Sequence, residues 1–211
     1  MDARGWDERY AATELVWSAR PNQFVEAELA DLRPGRALDL AAGEGRNALW
    51  LAERGWEVTA VDFSLVGLDK GRSLQSHHER ARHDVGGDLQ VEWVHADVLE
   101  HTPAPASYDL TLLAYLQLVP EQRRIAVRNG FAALRVGGTF FLVAHDSSNL
   151  TEGTGGPQDP SVLMTADDVL ADLGDASYDV VEAARVARPV PAPDGTKHTA
   201  YDALVRVVRT A

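Results

Sequence analysis

Apolar and polar positions follow two periods along this chain. Short apolar runs recur at residues 36–40, 57–62, 89–95, 108–114 and 139–145, and the segments between them repeat their apolar residues at helical spacing. Ahead of the first run, Trp6 and Tyr10 stand at i and i+4 on one helical face, Trp17 follows, and Pro21-Asn22 breaks the segment. A second helix is predicted over 23–31. After the first strand, Gly43 and Gly45 precede a helix over 46–53 whose apolar face is Ala48, Leu49, Leu51 and Ala52, with Gly55 at its end. The second strand ends in Asp62, and Ser64 is placed to cap a helix over 65–82. The run at 89–95 alternates, as a half-exposed edge strand does, whereas 108–114 is continuously apolar, as in a central parallel strand. Pro120 opens a helix to 134, and Gly137-Gly138 precede the strand at 139–145. Residues 146–164 read as a long Gly- and Pro-rich loop. Thr165 caps a helix over 166–173, and strands at 178–188 and 198–208 flank a tip carrying Asp194-Gly195, the mark of an antiparallel hairpin.

Strands alternating with helices predict an α/β fold: a doubly wound, mostly parallel sheet closed by a C-terminal antiparallel hairpin. The 211 residues suit a single domain, with a helical cap or lid over 1–33, a core over 34–145, and a loop and hairpin over 146–211. The formal net charge of -12 opposes phosphate-backbone binding, so nucleic acid is not expected as a partner. The absence of cysteine excludes disulfides and thiolate catalysis and suits a reducing cytoplasm. No apolar run approaches the roughly 20 residues of a membrane helix, and no signal-peptide core follows the first residues, so a cytoplasmic protein without a membrane partner is expected. His77 and His78 are neighbours in sequence and do not share a helix face, so no metal is expected. Oligomeric state is left open.

The stretch Leu38-Asp39-Leu40-Ala41-Ala42-Gly43-Glu44-Gly45-Arg46-Asn47 passes from strand through a glycine turn into a helix. A parallel sheet builds a nucleotide site this way, because the first helical amides lack intrahelical partners and face the ligand. Gly43-x-Gly45-x-x-Ala48, with Asp62 nineteen residues beyond Gly43 (62 − 43), also fits a dinucleotide fingerprint. Three features oppose that reading: Asp39 before the turn, Asp97 after the third strand, and a closing hairpin in place of a separate catalytic domain.

These positions and the order of elements resemble class I S-adenosylmethionine (SAM) dependent methyltransferases over nearly the whole chain. Gly43-Glu44-Gly45-Arg46-Asn47 resembles the GxGRN turn of the tellurite-resistance-type group, and Trp6-Asp7-Glu8-Arg9-Tyr10 with Pro21-Asn22 resembles its N-terminal segment. The resemblance implies SAM as cofactor. Asp39 would hold its amino acid end, Gly43 and Gly45 would give room for the methionine and ribose, and Arg46, beside Asn47, would reach the carboxylate. Ala41 replaces the family's first glycine. Asp62 would accept from both ribose hydroxyls, with Phe63 on the adenine face and Ser64 beside it. Asp97 would accept from the adenine amino group with the Val98 amide nearby, and Ala114 would lie above the methyl group. The implied activity is methyl transfer to a small-molecule acceptor, a thiol, chalcogen oxyanion or hydroxyl. Such a displacement needs mainly alignment and exclusion of water, and a base only when the acceptor must lose a proton. His145 and Asp146 are the candidate catalytic residues. Trp6, Tyr10, Trp17, Tyr115 and Asn149 are candidate acceptor-binding residues, and the loop at 147–160 is a candidate lid. A non-catalytic SAM-binding regulator and an NAD-dependent oxidoreductase are the alternatives.

Overall fold

The computed structural model describes residues 2–16, 18–81, 88–192 and 195–211. In chain order the elements are α1 (Ala3–Ala11), α2 (Gln23–Leu29), β1 (Arg36–Leu40), α3 (Arg46–Glu53), β2 (Glu57–Asp62), α4 (Leu65–Ala81) and β3 (Val91–His95). There follow β4 (Tyr108–Ala114), α5 (Pro120–Ala132), β5 (Leu134–His145), α6 (Asn149–Glu152), a 3-10 turn (Pro160–Val162), α7 (Ala166–Leu173), β6 (Tyr178–Pro191) and β7 (Lys197–Arg209). The strand order is β3-β2-β1-β4-β5-β7-β6. This is the Rossmann-like α/β arrangement with an antiparallel C-terminal pair that the apolar pattern predicted. Two compact units divide the chain, Met1–Thr102 with Tyr108–Leu110, and Pro103–Ser107 with Thr111–Ala211.

In the first unit, β1 pairs in parallel with β2 and β2 with β3, so that Leu40 lies beside Val61 and Asp62 beside His95. Every residue of β1 after Arg36, and of β2 after Glu57, is buried, as strands covered on both faces require. Helix α3 is buried from Asn47 to Ala52, and Leu68 of α4 is fully enclosed. The edge strand β3 shows the half-exposed pattern read from its alternation. Asn22 caps α2, its Oδ1 accepting from the Phe24 and Val25 amides at 2.9 and 3.4 Å.

In the second unit, β7 pairs antiparallel with both β5 and β6. Phe140 and Phe141 of β5 are fully buried, each worth about 1.5–3 kcal/mol in water-excluded apolar surface. Thr165 and Asp168 form a reciprocal capping box at the start of α7, and Arg123 of α5 pairs with Asp172 of α7 at 2.6 Å. Several boundaries differ from the sequence reading, α2 ending at Leu29 and α5 at Ala132, each two residues early. Strand β5 begins at Leu134, so Gly137-Gly138 lie inside it, Gly137 with φ 83°. Strand β6 runs on through Pro189 to Pro191, which an edge strand tolerates because the missing amide costs no ladder bond on its free side. The stretch 146–164 is not a structureless loop but carries α6 and the 3-10 turn. Strand β3 starts two residues later than predicted, at Val91. Residue 82 of the predicted fourth helix and Asp194 of the predicted hairpin turn lie outside the described residues.

Candidate active site

The β1–α3 turn reverses the chain through three left-handed residues in alternation: Ala41 (φ 61°), Gly43 (φ 58°) and Gly45 (φ 75°). Ala41 adopts at about 1–2 kcal/mol of strain what glycine would adopt freely. The turn is pinned by Ala42 N–H donating to the Val61 carbonyl at 3.0 Å and Gly45 N–H to the Ala42 carbonyl at 2.9 Å. The space left by each absent side chain is claimed by a neighbour. A Cβ on Gly43 would come within 2.5 Å of Tyr10 Oη, and one on Gly45 within 2.1 Å of the Trp93 ring. These glycines therefore make room for Tyr10 and Trp93 as well as shaping the turn.

Two carboxylates stand over the turn. Asp39 is 1% exposed, and its Oδ2 has no hydrogen-bond partner among the described residues. Burial, reinforced by the charge of Asp62, pushes its carboxyl from 3.8 up to about 8, against the pull of Arg46 and the Ala48 amide. Asp62 accepts from Gly43 N–H through Oδ2 and from Ser64 N–H through Oδ1, both at 2.8 Å. Burial raises its carboxyl too; the two amides oppose the rise and Asp7 adds to it. An orphaned buried carboxylate oxygen beside a second acid is a receptor for a cation, which fits the ammonium end of a SAM molecule. Arg46, half-buried at the start of α3, supplies the opposite charge for a carboxylate.

The remaining donor-side candidates divide. Phe63 is half-buried, and its carbonyl lies 3.0 Å from His95 Nε2. Ser64 is fully buried: its hydroxyl accepts from Gly67 N–H at 3.1 Å, as a helix cap does, and donates to Asp7 Oδ1 at 2.5 Å. Asp97 is half-buried, its Oδ1 accepting from Leu99 N–H at 2.9 Å in a side-chain-closed turn, and Val98 is buried. Asn47 has a partner in the scaffold: its Oδ1 accepts from Asn22 N–H at 2.9 Å and ties α2 to α3.

Helix α1 closes on the same turn. Trp6 and Tyr10 stack with ring centroids 5.4 Å apart, and Tyr10 is 4% exposed. Lys70 Nζ donates to the carbonyls of Tyr10 (2.5 Å) and Thr13 (2.6 Å) and pairs with Glu44 at 3.1 Å. The Glu44 carboxylate also accepts from Val16 N–H at 3.1 Å through either oxygen. Glu44 is 3% exposed, and the sequence reading passed over it; an acid inside a buried turn was the signal. Trp17 lies outside the described residues.

The second unit holds its own polar cluster. Ala114 ends β4 half-buried, and Tyr115 follows with φ 59°, its N–H donating to the Val143 carbonyl at 2.7 Å. Asp202 of β7 is 0% exposed, and its Oδ2 accepts from Tyr115 Oη at 2.9 Å and Arg188 Nε at 2.8 Å. His145 Nδ1 lies 3.3 Å from Asp202 Oδ1, off the line of a good hydrogen bond, and neither atom has another partner among the described residues. Burial alone would raise the Asp202 carboxyl, but His145, Arg188 and Tyr115 together hold it below the usual carboxylate range. The Tyr115 and His145 rings pack at 4.8 Å.

Two other candidates hold partners within the loop. Asp146 accepts from the Ser148 amide (2.9 Å) and hydroxyl (2.6 Å) through Oδ1, bonds that organise the loop. Asn149 accepts from Tyr201 N–H at 2.8 Å and donates to the Gly155 carbonyl at 2.9 Å, tying the loop to β7. Asp202 and Arg188 were missed by sequence reasoning. Asp202 sits among Tyr201, Ala203, Leu204 and Val205, the same pattern of an acid in an apolar strand that singled out Asp39.

A family model described as "Methyltransferase domain" matches residues 37–138, the span from β1 to the start of β5. This part of the chain is therefore similar to a methyltransferase domain. Asp39, Gly43, Gly45, Asp62 and Asp97 all fall within the matched span. The chain is 29% identical over 134 residues to the tRNA 5-carboxymethoxyuridine methyltransferase of Escherichia coli (strain K12), covering 61% of this chain and 48% of that protein. It is 37% identical over 90 residues to the demethylmenaquinone methyltransferase of Clavibacter sepedonicus, covering 42% of this chain and 33% of that protein. The chain thus spans half or less of the length of these curated relatives. The solved structure of TehB from Haemophilus influenzae shares the fold with a TM-score of 0.71 at 17% identity, over 90% of this chain and 63% of that one. No helix among the described residues is long and apolar enough to cross a membrane.

Proposed function

We propose that the chain transfers a methyl group from SAM to a small-molecule acceptor, a thiol, chalcogen oxyanion or hydroxyl. The observation that carries the reading is the buried, unpartnered Oδ2 of Asp39 beside Asp62. When bound, SAM supplies an electrophilic methyl on a sulfonium. Asp39 takes the ammonium of its amino acid end and Arg46 the carboxylate. Asp62, whose oxygens each accept one backbone amide, has lone pairs left for the ribose hydroxyls. Phe63 and Asp97 hold the adenine, and α1, through Tyr10, excludes water from the turn. His145 is the base for acceptors that must lose a proton; with Asp146 committed to its loop, no second base is assigned. The formal charge of -12 supports a small acceptor over a polyanion.

The test is calorimetry of the purified chain with SAM and with NAD, then incubation with labelled SAM and a panel of acceptors. Thiols, selenite and tellurite, phenols, a demethylated quinone and tRNA belong in the panel, the last two because of the Clavibacter and Escherichia relatives. SAM binding with label on a small molecule is expected. Label on tRNA alone would reassign the acceptor to nucleic acid, NAD binding without SAM binding would overturn the cofactor, and binding without turnover would favour a regulatory protein.

A further inference from the structure

The geometry points to Asp202 as a positioning residue that fixes the tautomer of His145 and so makes His145 Nε2 the proton acceptor of the second unit. The inference rests on the methyl-transfer reading above and adds to it a residue that the methyltransferase match at 37–138 does not reach.

Asp202 is reached from three elements. Tyr115, just past β4, and Arg188 of β6 both bind Oδ2, at 2.9 and 2.8 Å, which leaves Oδ1 facing His145 at the end of β5. Oδ1 and His145 Nδ1 are both buried, 3.3 Å apart, and each lacks any other partner among the described residues. Two complementary buried atoms without alternatives are satisfied only by each other, and a small rotation of the imidazole closes the bond. The ring cannot drift far. The Tyr115 ring packs on one side at 4.8 Å, and Gly156 approaches so closely that a Cβ there would lie 3.0 Å from Nδ1.

A carboxylate only accepts, so the bond requires the proton on Nδ1. In the neutral ring Nε2 then carries the lone pair. When an acceptor surrenders its proton, that proton goes to Nε2, the ring becomes an imidazolium, and the carboxylate below offsets the new charge. A purely structural Asp202, anchoring Tyr115 and Arg188, makes no demand on the His145 tautomer.

The full chain, labelled with nitrogen-15 in histidine, distinguishes the two by long-range proton–nitrogen NMR at pH 8, with His145→Gln assigning the resonance among the 7 histidines. The expected result is Nδ1 protonated and Nε2 bare, a state that Asp202→Asn abolishes and Tyr115→Phe preserves. On any acceptor that turns over, Asp202→Asn should lower kcat by roughly a hundredfold while leaving SAM affinity unchanged. A wild-type His145 protonated on Nε2, which requires no variant to fold, overturns the inference, as does a tautomer indifferent to Asp202→Asn. Calorimetry with SAM on the same sample separates the failures. Intact SAM binding with the wrong tautomer removes only the role of Asp202, whereas absent SAM binding removes the methyl-transfer reading beneath it.

Discussion

Replacing Asp39 by asparagine should make the protein more stable and a poorer binder of SAM, with the gain in stability growing as pH rises. In the folded chain this carboxyl is raised from 3.8 to about 8, chiefly by burial and next by Asp62. The folded state therefore holds a proton that the unfolded chain releases between about pH 4 and pH 8. Its contribution to stability is intact below pH 4 and is lost as pH climbs through that window. Each pH unit is worth about 1.4 kcal/mol, so at pH 7 the native aspartate carries at most ~4 kcal/mol of destabilisation. Local relaxation around the carboxylate lowers this, and about 2–4 kcal/mol at pH 8 is the expected advantage of Asp39→Asn. For a chain of this size that is roughly 5–15 °C in Tm. Thermal unfolding of both proteins at pH 4 and pH 8, with SAM calorimetry in parallel, makes the comparison. The two should melt together at pH 4 and diverge at pH 8, with SAM affinity at least about tenfold weaker in the variant, or roughly 1.4 kcal/mol. A variant with no pH-dependent advantage, or one that binds SAM as tightly as the parent, would sink the view that a strained carboxylate is held ready for a cation.

Three further outcomes are expected. Asp62→Ala should weaken SAM binding by about tenfold or more and also lower Tm, since it leaves the Gly43 and Ser64 amides without their acceptor at about 1–3 kcal/mol each; unchanged calorimetry would exclude Asp62 from the site. Gly45→Ala should destabilise by about 2–4 kcal/mol in urea unfolding, because a left-handed alanine is strained and its methyl would meet the Trp93 ring at 2.1 Å. Arg123→Leu should cost about 3 kcal/mol by leaving Asp172 with only Arg124 at 3.4 Å, and the double variant with Asp172→Leu should recover most of it; an additive double variant would show that the pair is not coupled.

The two buried acids beside the β1–α3 turn were legible because of where they stand in the sequence. An acid at the end of a buried apolar strand is expensive without a purpose, and Asp39 and Asp62 both declare themselves that way; applied to β7, the same reasoning reaches Asp202. Periodicity placed β1, α3, β2, β4 and α7 at the residues where they occur, α3 and α7 being bounded by a cap or a glycine at each end and the three strands being short apolar runs. What periodicity does not encode is which partner a short polar side chain will find. Asn47, Asp146 and Asn149 look alike as exposed loop or helix-start residues, yet each bonds a backbone group: Asn22, Ser148 and Tyr201 respectively. Those pairings depend on how α2 meets α3 and how β7 meets α6, over separations of 25 residues for Asn47 and 52 for Asn149. Glycines are similarly ambiguous. Gly43 and Gly45 signalled a ligand, and the structure finds Tyr10 and Trp93 against them.

The Trp93 ring bears on how this sequence can vary. It lies against Gly45 and also against Gly71, where a Cβ would come within 2.4 Å, and its indole N–H donates to Gln75 at 2.7 Å. Gly45 is constrained twice, by the ring and by its left-handed backbone, whereas Gly71, inside α4, has helical backbone and meets the ring first. The two glycines should therefore diverge among descendants of this chain. Once position 93 drifts to a small side chain, position 71 is released to alanine, which a helix prefers by about 1 kcal/mol, while position 45 stays glycine. Joint change at 71 and 93, with 45 invariant, is the substitution history this packing writes into its lineage.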